Sequence, residues 1–225
     1  MKRAHGMGFD WLWLMDDDGK PLPDTLEQLL GCPESDILMR GCVVLAKDEL
    51  GTLAFEYPGK GSKWITSFAE LRTLYNRELV IRGFANLFNG VLVSKELVDQ
   101  IGLPDKRFFI WGDETEYFWR AKRKGVKVAT VLSALFLHPK DRMLRRTLFF
   151  LGKRVSLPYS EDTRRFNLIV RNQSYIYTRY ISILKWLIRL VLYLIFFPQR
   201  SYSIVKSSFR GALGKFEEQK REQRG

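Results

Sequence analysis

The apolar run Phe9-Asp10-Trp11-Leu12-Trp13-Leu14-Met15 stops abruptly at Asp16-Asp17-Asp18. A run of this length, rich in aromatic residues, reads as a buried strand. Its end is then fixed where the sheet opens to solvent. Three consecutive carboxylates at such an end concentrate negative charge that folding does not require. Hard oxygen ligands of this kind suit Mg²⁺ or Mn²⁺, ions that in turn hold phosphates. The plain alternative is a strand followed by a turn, since Asp17-Asp18-Gly19-Lys20-Pro21 has ordinary turn composition.

At 225 residues the chain can bury one good core with an appendage, and its 46% hydrophobic and 14% aromatic content excludes a disordered chain. The net charge of +12 matters once it is located. Residues 140–225 hold 19 Lys and Arg against 6 acids, whereas residues 1–139 hold 18 against 19. The basic third should therefore seek an anionic surface. Cys32 and Cys42 lack any CxxC or Cys/His ligand spacing and read as reduced structural thiols in a cytosolic protein. The residues after Met1 contain no apolar h-region of a signal peptide.

Met1–Gly8 reads as the last turn of a helix. Asp24 is expected to cap a helix through Leu26, Leu29 and Leu30, with Glu27 completing a capping box. Strands are expected at 37–46, 50–57, 90–93, 126–131 and 135–138, and the segment 63–79 is ambiguous. Ser94 should cap a helix that ends at Gly102. Phe108-Phe109-Ile110-Trp111 is a second apolar run ending in acid, Gly112-Asp113-Glu114-Thr115-Glu116, followed by a helix closed at Gly125. Alternating strands and helices favour an α/β sandwich with a mainly parallel sheet.

In an open α/β sheet the strand ends converge on one crevice, so Asp16 to Asp18, Asp113 to Glu116 and His138 are candidates for a shared site. The triplet is a candidate metal site with His138 as third ligand, and a carboxylate at a helix N-terminus stays ionised as a base requires. Each has a structural alternative. Asp113 or Glu114 is also a helix cap, Glu116 a partner for Arg120, and His138 a core histidine. Trp11, Trp13 and Trp111 read first as packing residues, and His5 shows no partner.

Tyr180–Phe197 approaches membrane-spanning length but carries Lys185 and Arg189 one helical turn apart. It reads as a helix lying in a membrane interface with its basic side toward the headgroups; a buried dimer helix is the alternative. After Pro198, residues 201–216 continue as a second amphipathic stretch, with Ile204, Val205, Phe209 and Leu213 on one side. No RNA-binding signature accompanies the basic and aromatic residues, so no nucleic-acid partner is expected.

The segments 9–18, Phe88-Asn89-Gly90-Val91-Leu92-Val93-Ser94 and 108–117 with Arg120 resemble, in order and spacing, the family 2 glycosyltransferases. The nearest likeness is to bacterial galactofuranosyl and rhamnosyl transferases of surface-polysaccharide assembly. The resemblance covers residues 1–140. It implies a GT-A fold, an α/β/α sandwich, and inverting transfer from a UDP- or dTDP-linked sugar to a hydroxyl of a glycan or lipid-linked glycan. It further implies that Asp16, Asp18 and His138 bind Mn²⁺ or Mg²⁺, that Asp17 contacts the donor nucleotide, and that Asn89, Gly90 and Trp111 lie near substrate. Glu114 would be the base, with Asp113 in reserve.

Members of the family carry a further half-domain before the Asp triplet, so the resemblance implies a catalytic domain over 1–140 lacking its first nucleotide-binding strands. Residues 141–225 would follow as a basic helical segment on the inner face of the cell membrane. Two other readings of the same residues are a truncated remnant that binds membrane or a partner, and a Mg²⁺-dependent nucleotidyl or phosphoryl transferase.

Overall fold

The computed structural model describes residues 1–49, 51–61, 63–140, 143–150 and 153–216. It divides into two compact units, one comprising Met1–Leu103 and Arg120–Arg142, the other Pro104–Trp119 and Met143–Gly225.

The first unit is a mixed sheet with helices. After the short helix α1 (Lys2–Gly6), strand β1 (Trp11–Met15) leads through the Asp turn to β2 (Lys20–Pro21) and helix α2 (Thr25–Leu30). Then come β3 (Met39–Ala46), β4 (Thr52–Pro58), β5 (Trp64–Ser67), α3 (Phe68–Leu74), β6 (Val80–Arg82), β7 (Asn89–Ser94) and α4 (Lys95–Ile101). The strand β8 (Val128–His138) follows α5 (Asp113–Arg123). Along the main path the order is β1-β7-β3-β4-β5, with β8 beside β3, β2 and β6.

The sheet is α/β in class but not mainly parallel. Among the described residues β3–β8 is the only parallel pairing, and β1–β7, β3–β7, β3–β4, β4–β5, β2–β8 and β6–β8 all run antiparallel. The reason lies in the connections. The links from β3 to β4 and from β4 to β5 are short, and a parallel return needs a crossover of roughly a dozen residues or more. The two strands expected near 126–138 are one, β8, whose register against β3 jumps between Cys42 and Val43 and so absorbs the interruption at 132–134.

Buried Leu29, Ile37, Val44, Leu92, Val131 and Phe136 form one core cluster, and Val43, Leu53, Tyr57, Ile65, Leu71 and Ile81 another. Arg40 is buried among them: its guanidinium donates to the carbonyls of Ile37, Leu29 and Leu30 and lies 4.3 Å from the Trp11 ring. It thereby satisfies carbonyls that the end of α2 leaves open. The expected Asp24 capping box is absent, for Asp24 has helical backbone and makes no side-chain cap bond. Thr25 Oγ1 instead donates to the Leu135 carbonyl at 2.6 Å and ties α2 to β8. Ser94 caps α4 as expected, accepting from the Leu97 amide, and Gly102 closes it at φ 75°. His5 does have a partner, with Nε2 2.7 Å from Asp99 Oδ1.

The second unit contains a hairpin that the helical reading of 141–225 missed. Strands β9 (Leu144–Phe150) and β10 (Lys153–Tyr159) pair antiparallel, and α6 (Thr163–Ile176) follows, capped by Asp162. A π-helical turn, Tyr177–Ile181, and the extended Ser182 separate α6 from α7 (Ile183–Phe196). Pro198–Arg200 is a 3₁₀ turn before α8 (Ser201–Ala212). Gly211 lets α8 press on α6, since a Cβ there would stand 1.9 Å from the Arg171 carbonyl oxygen. Ser208 Oγ meets Ser174 Oγ at 2.9 Å and accepts from the Trp186 indole at 2.9 Å.

The run at 108–111 is not a strand either. Lys106–Phe108 forms a 3₁₀ turn, and Phe109 and Trp111 take φ values of 63° and 58°. Two such non-glycine residues cost on the order of 1–3 kcal/mol each.

Helix α7 departs from the expected polarity at Arg189. Ile183, Leu184, Leu187, Val191 and Ile195 are exposed, while Arg189 is buried, donating to Gln173 Oε1 and lying over the Tyr177 ring. Arg189 thus turns inward because Gln173 and Tyr177 offer it an acceptor and a ring face, whereas Lys185 stays exposed beside the apolar stripe. On α8, Ile204 is fully buried, apart from the exposed Val205, Phe209 and Leu213 with which it was grouped.

Candidate active site

Strand β1 delivers the Asp triplet by pairing with β7, Met15 opposite Asn89, and the Asp16 amide donates to the Phe88 carbonyl at 2.6 Å. Gly19 N then bonds the Asp16 carbonyl at 3.4 Å, closing a tight turn that sends Lys20 against Leu137 and Pro21 against Phe136. This pairing with the end of β8 brings residue 18 to residue 138. Asp16, Asp18 and His138 each offer one ligand atom, all within 4.8 Å of one another. Opposite ligands of an ion bound at about 2.1–2.4 Å stand about 4.2–4.8 Å apart, so the spacing fits a divalent cation.

The hydrogen bonding of His138 sharpens the fit. Nδ1 lies 2.6 Å from the Pro139 carbonyl oxygen, which can only accept, so Nδ1 carries the proton. In the neutral ring Nε2 then presents a lone pair toward Asp18 Oδ1, 3.1 Å away. Two acceptors facing each other call for a proton or a cation between them. A backbone carbonyl fixing the tautomer is the usual support of a metal-binding imidazole. His138 is buried, with the Phe55 ring 5.1 Å away. Asp16 and Asp17 are exposed and Asp18 half-buried.

Asn89 and Gly90 lie beside this turn. Asn89 is buried with Nδ2 on the Leu87 carbonyl, and among the described residues its Oδ1 has no hydrogen-bond partner. Gly90 stands at φ 79°, and its carbonyl accepts from the Trp13 indole at 3.0 Å. A Cβ at Gly90 would lie 2.6 Å from Phe136, so the glycine here serves the packing of the strand.

Asp113 and Glu114 belong to the second unit, on the first turn of α5. Glu114 Oε2 accepts from the Gly112 amide at 3.1 Å. Burial, helped by the neighbouring Asp113 carboxyl, pushes the Glu114 carboxyl up to about 8. Such a group ionises near neutrality and accepts a proton strongly once ionised, as proton transfer requires. Glu116 is buried and accepts from the Tyr180 hydroxyl at 2.7 Å. Trp111 is half-buried, with the Arg165 guanidinium 5.8 Å from its ring.

Two residues escaped the sequence reading. Arg171 and Asn172 are buried on α6, and Asn172 Nδ2 faces the carbonyls of Phe108, Ile110 and Trp111 at 3.1, 3.0 and 2.6 Å. The available signal was an Arg-Asn pair within an otherwise amphipathic helix, at positions the apolar period assigns to the buried side.

No family model matches the chain. It is similar to galactofuranosyltransferase GlfT1 of Mycolicibacterium smegmatis, with 37% identity over 181 residues, 78% of this chain and 59% of that protein. Galactofuranosyltransferase GlfT1 of Mycobacterium tuberculosis is 35% identical over 178 residues, again 78% of this chain and 57% of the relative. The chain thus spans less than three fifths of the length of these relatives.

Proposed function

We propose that the chain is the catalytic part of a GT-A-type, metal-dependent inverting glycosyltransferase. It would move a sugar, galactofuranose by analogy with its relatives, from a UDP- or dTDP-linked donor to a hydroxyl of a growing cell-surface glycan. The observation that carries this reading is the meeting of Asp16, Asp18 and His138 at the end of β1. A bound Mn²⁺ or Mg²⁺ would neutralise the charge of the departing diphosphate. Asp17, exposed at the tip of the same turn, is assigned to the donor nucleotide. The open Asn89 Oδ1 is assigned to a substrate hydroxyl.

Glu114 is assigned the acceptor proton. As a base it must be ionised, so its carboxyl near 8 gives a reaction that speeds up as pH rises through that value. A single displacement inverts the anomeric centre. Asp113 raises the Glu114 carboxyl and is assigned to acceptor positioning.

Helices α7 and α8 support a place at the inner membrane surface. No helix among the described residues is long and apolar enough to cross a membrane. The exposed apolar residues of α7, in a segment with a large excess of Lys and Arg, suit shallow insertion into an anionic bilayer. An enzyme seated there gains effective concentration toward a lipid-linked acceptor.

The test is transfer from radiolabelled UDP- and dTDP-sugars with Mn²⁺ to a lipid-linked glycan. The expected result is sugar incorporation with nucleoside diphosphate release, abolished by EDTA and by His138→Ala. Incorporation of the nucleotide instead would establish a nucleotidyl transferase. No calorimetric binding at millimolar donor would establish a non-catalytic remnant.

A further inference from the structure

The segment Arg107–Gly112 adopts a conformation that its own residues do not favour. Phe109, at φ 63° and ψ −58°, sits in a tight turn closed by the Ile110 amide on the Phe108 carbonyl at 2.8 Å. This is the rare, strained form of the three-residue turn. Trp111 follows at φ 58°. A strained loop of this kind persists only where its surroundings over-determine it.

Asn172 is what over-determines it. Its Oδ1 accepts from Arg171 Nε at 2.9 Å and Arg171 Nη2 at 2.8 Å, and arginine can only donate. The amide orientation is therefore fixed by chemistry, and Nδ2 must face the three carbonyls of Phe108, Ile110 and Trp111. Arg171 Nη2 adds bonds to the carbonyls of Arg107 and Phe108 at 3.2 and 3.3 Å.

The shortest of the Asn172 bonds carries the argument further. The Trp111 carbonyl and the Gly112 amide belong to one planar peptide group. Asn172 grips that group by its oxygen at 2.6 Å, and the same group offers its N–H to Glu114 Oε2 at 3.1 Å. Donation to the carbonyl polarises the peptide and strengthens the bond its amide makes. Rotating the plane would break both contacts together.

We propose that Asn172, oriented by Arg171, is a positioning residue that sets the Glu114 carboxyl through the Trp111–Gly112 peptide. The inference rests on the reading of Glu114 as the base. Its loop component stands independently of that reading.

The variants are Asn172→Ala and, with α6 kept basic, Arg171→Lys. Hydrogen–deuterium exchange of the Ile110–Gly112 amides is expected to quicken by about tenfold or more in both, while the exchange of β3 and β8 stays at the wild-type rate. Carboxyl ¹³C titration should show Glu114 falling from its raised value toward an ordinary carboxylate, because a released loop exposes the carboxyl and burial is the main reason it stands high. In transfer assays kcat should fall about tenfold or more with donor KM held, as expected for lost orientation. Wild-type exchange at 110–112 together with an unmoved Glu114 titration in whichever variants fold would overturn the proposal. Full activity in Glu114→Gln would remove the base assignment and leave the exchange result standing, so the two failures are distinguishable.

Discussion

Asp18 Oδ1 lies 3.1 Å from His138 Nε2, across 120 residues of sequence, and the other ring nitrogen is committed to the Pro139 carbonyl. The contact follows from one small piece of pairing, Lys20 against Leu137 and Pro21 against Phe136.

On the proposed metal reading, His138→Ala and Asp18→Asn should each weaken Mn²⁺ binding by about tenfold or more, since each removes one of the three proposed ligands. Electron paramagnetic resonance of free Mn²⁺ in a titration reads the affinity directly. Equal affinity in all three proteins would refute the site.

Glu114 makes stability depend on pH in a defined direction. Its carboxyl is raised from 4.5 to about 8 in the folded chain, so the folded state holds a proton that the unfolded state has lost between those values. Stability therefore falls as pH rises from about 4.5 to about 8, by an amount on the order of a few kcal/mol at most. Glu114→Gln, which cannot ionise, should leave thermal unfolding nearly unchanged at pH 5 and raise the midpoint at pH 8.5.

Replacing exposed Leu187 and Val191 on α7 with Glu should cut binding to anionic vesicles by about a hundredfold. Each buried apolar side chain is worth about 1.5–3 kcal/mol on transfer, and each added negative charge is repelled. Vesicle co-sedimentation measures the loss. An oligomer that dissociates in the double variant, with vesicle binding unchanged, would assign the stripe to a second copy of the chain.

Gly90→Ala should destabilise the first unit by about 2–4 kcal/mol. The new methyl meets Phe136 at 2.6 Å and Cys42 Sγ at 3.0 Å, and φ 79° is unfavourable for any L side chain. Urea denaturation followed by the fluorescence of Trp11 and Trp13 gives the difference.

The sequence made some of this legible and hid the rest for physical reasons. Ser94, Leu97 and Gly102 specify α4 by local rules alone, and the helix starts and stops at those residues. The meeting of Asp16, Asp18 and His138 was also accessible, since strand ends gather chemistry. The direction of the strands was not, because periodicity tells which residues are buried and says nothing of which neighbour runs which way. Phe108 to Trp111 has strand composition, yet its conformation is dictated by an amide sixty residues away on α6. Arg189 looked like a surface charge because sequence spacing shows which residues share a helix side, and Gln173 and Tyr177 draw the Arg189 side chain inward while Lys185 stays exposed.

Helix α7 is consequently built inside out by the standards of a water-soluble surface, and the usual logic of protein handling inverts along it. Mutations that improve behaviour in a test tube, polar for apolar at Leu184, Leu187 or Ile195, are the ones expected to cost the molecule the membrane surface proposed for it. Conservative-looking changes at Arg189, chosen because a surface arginine is expendable, would instead strike the interior.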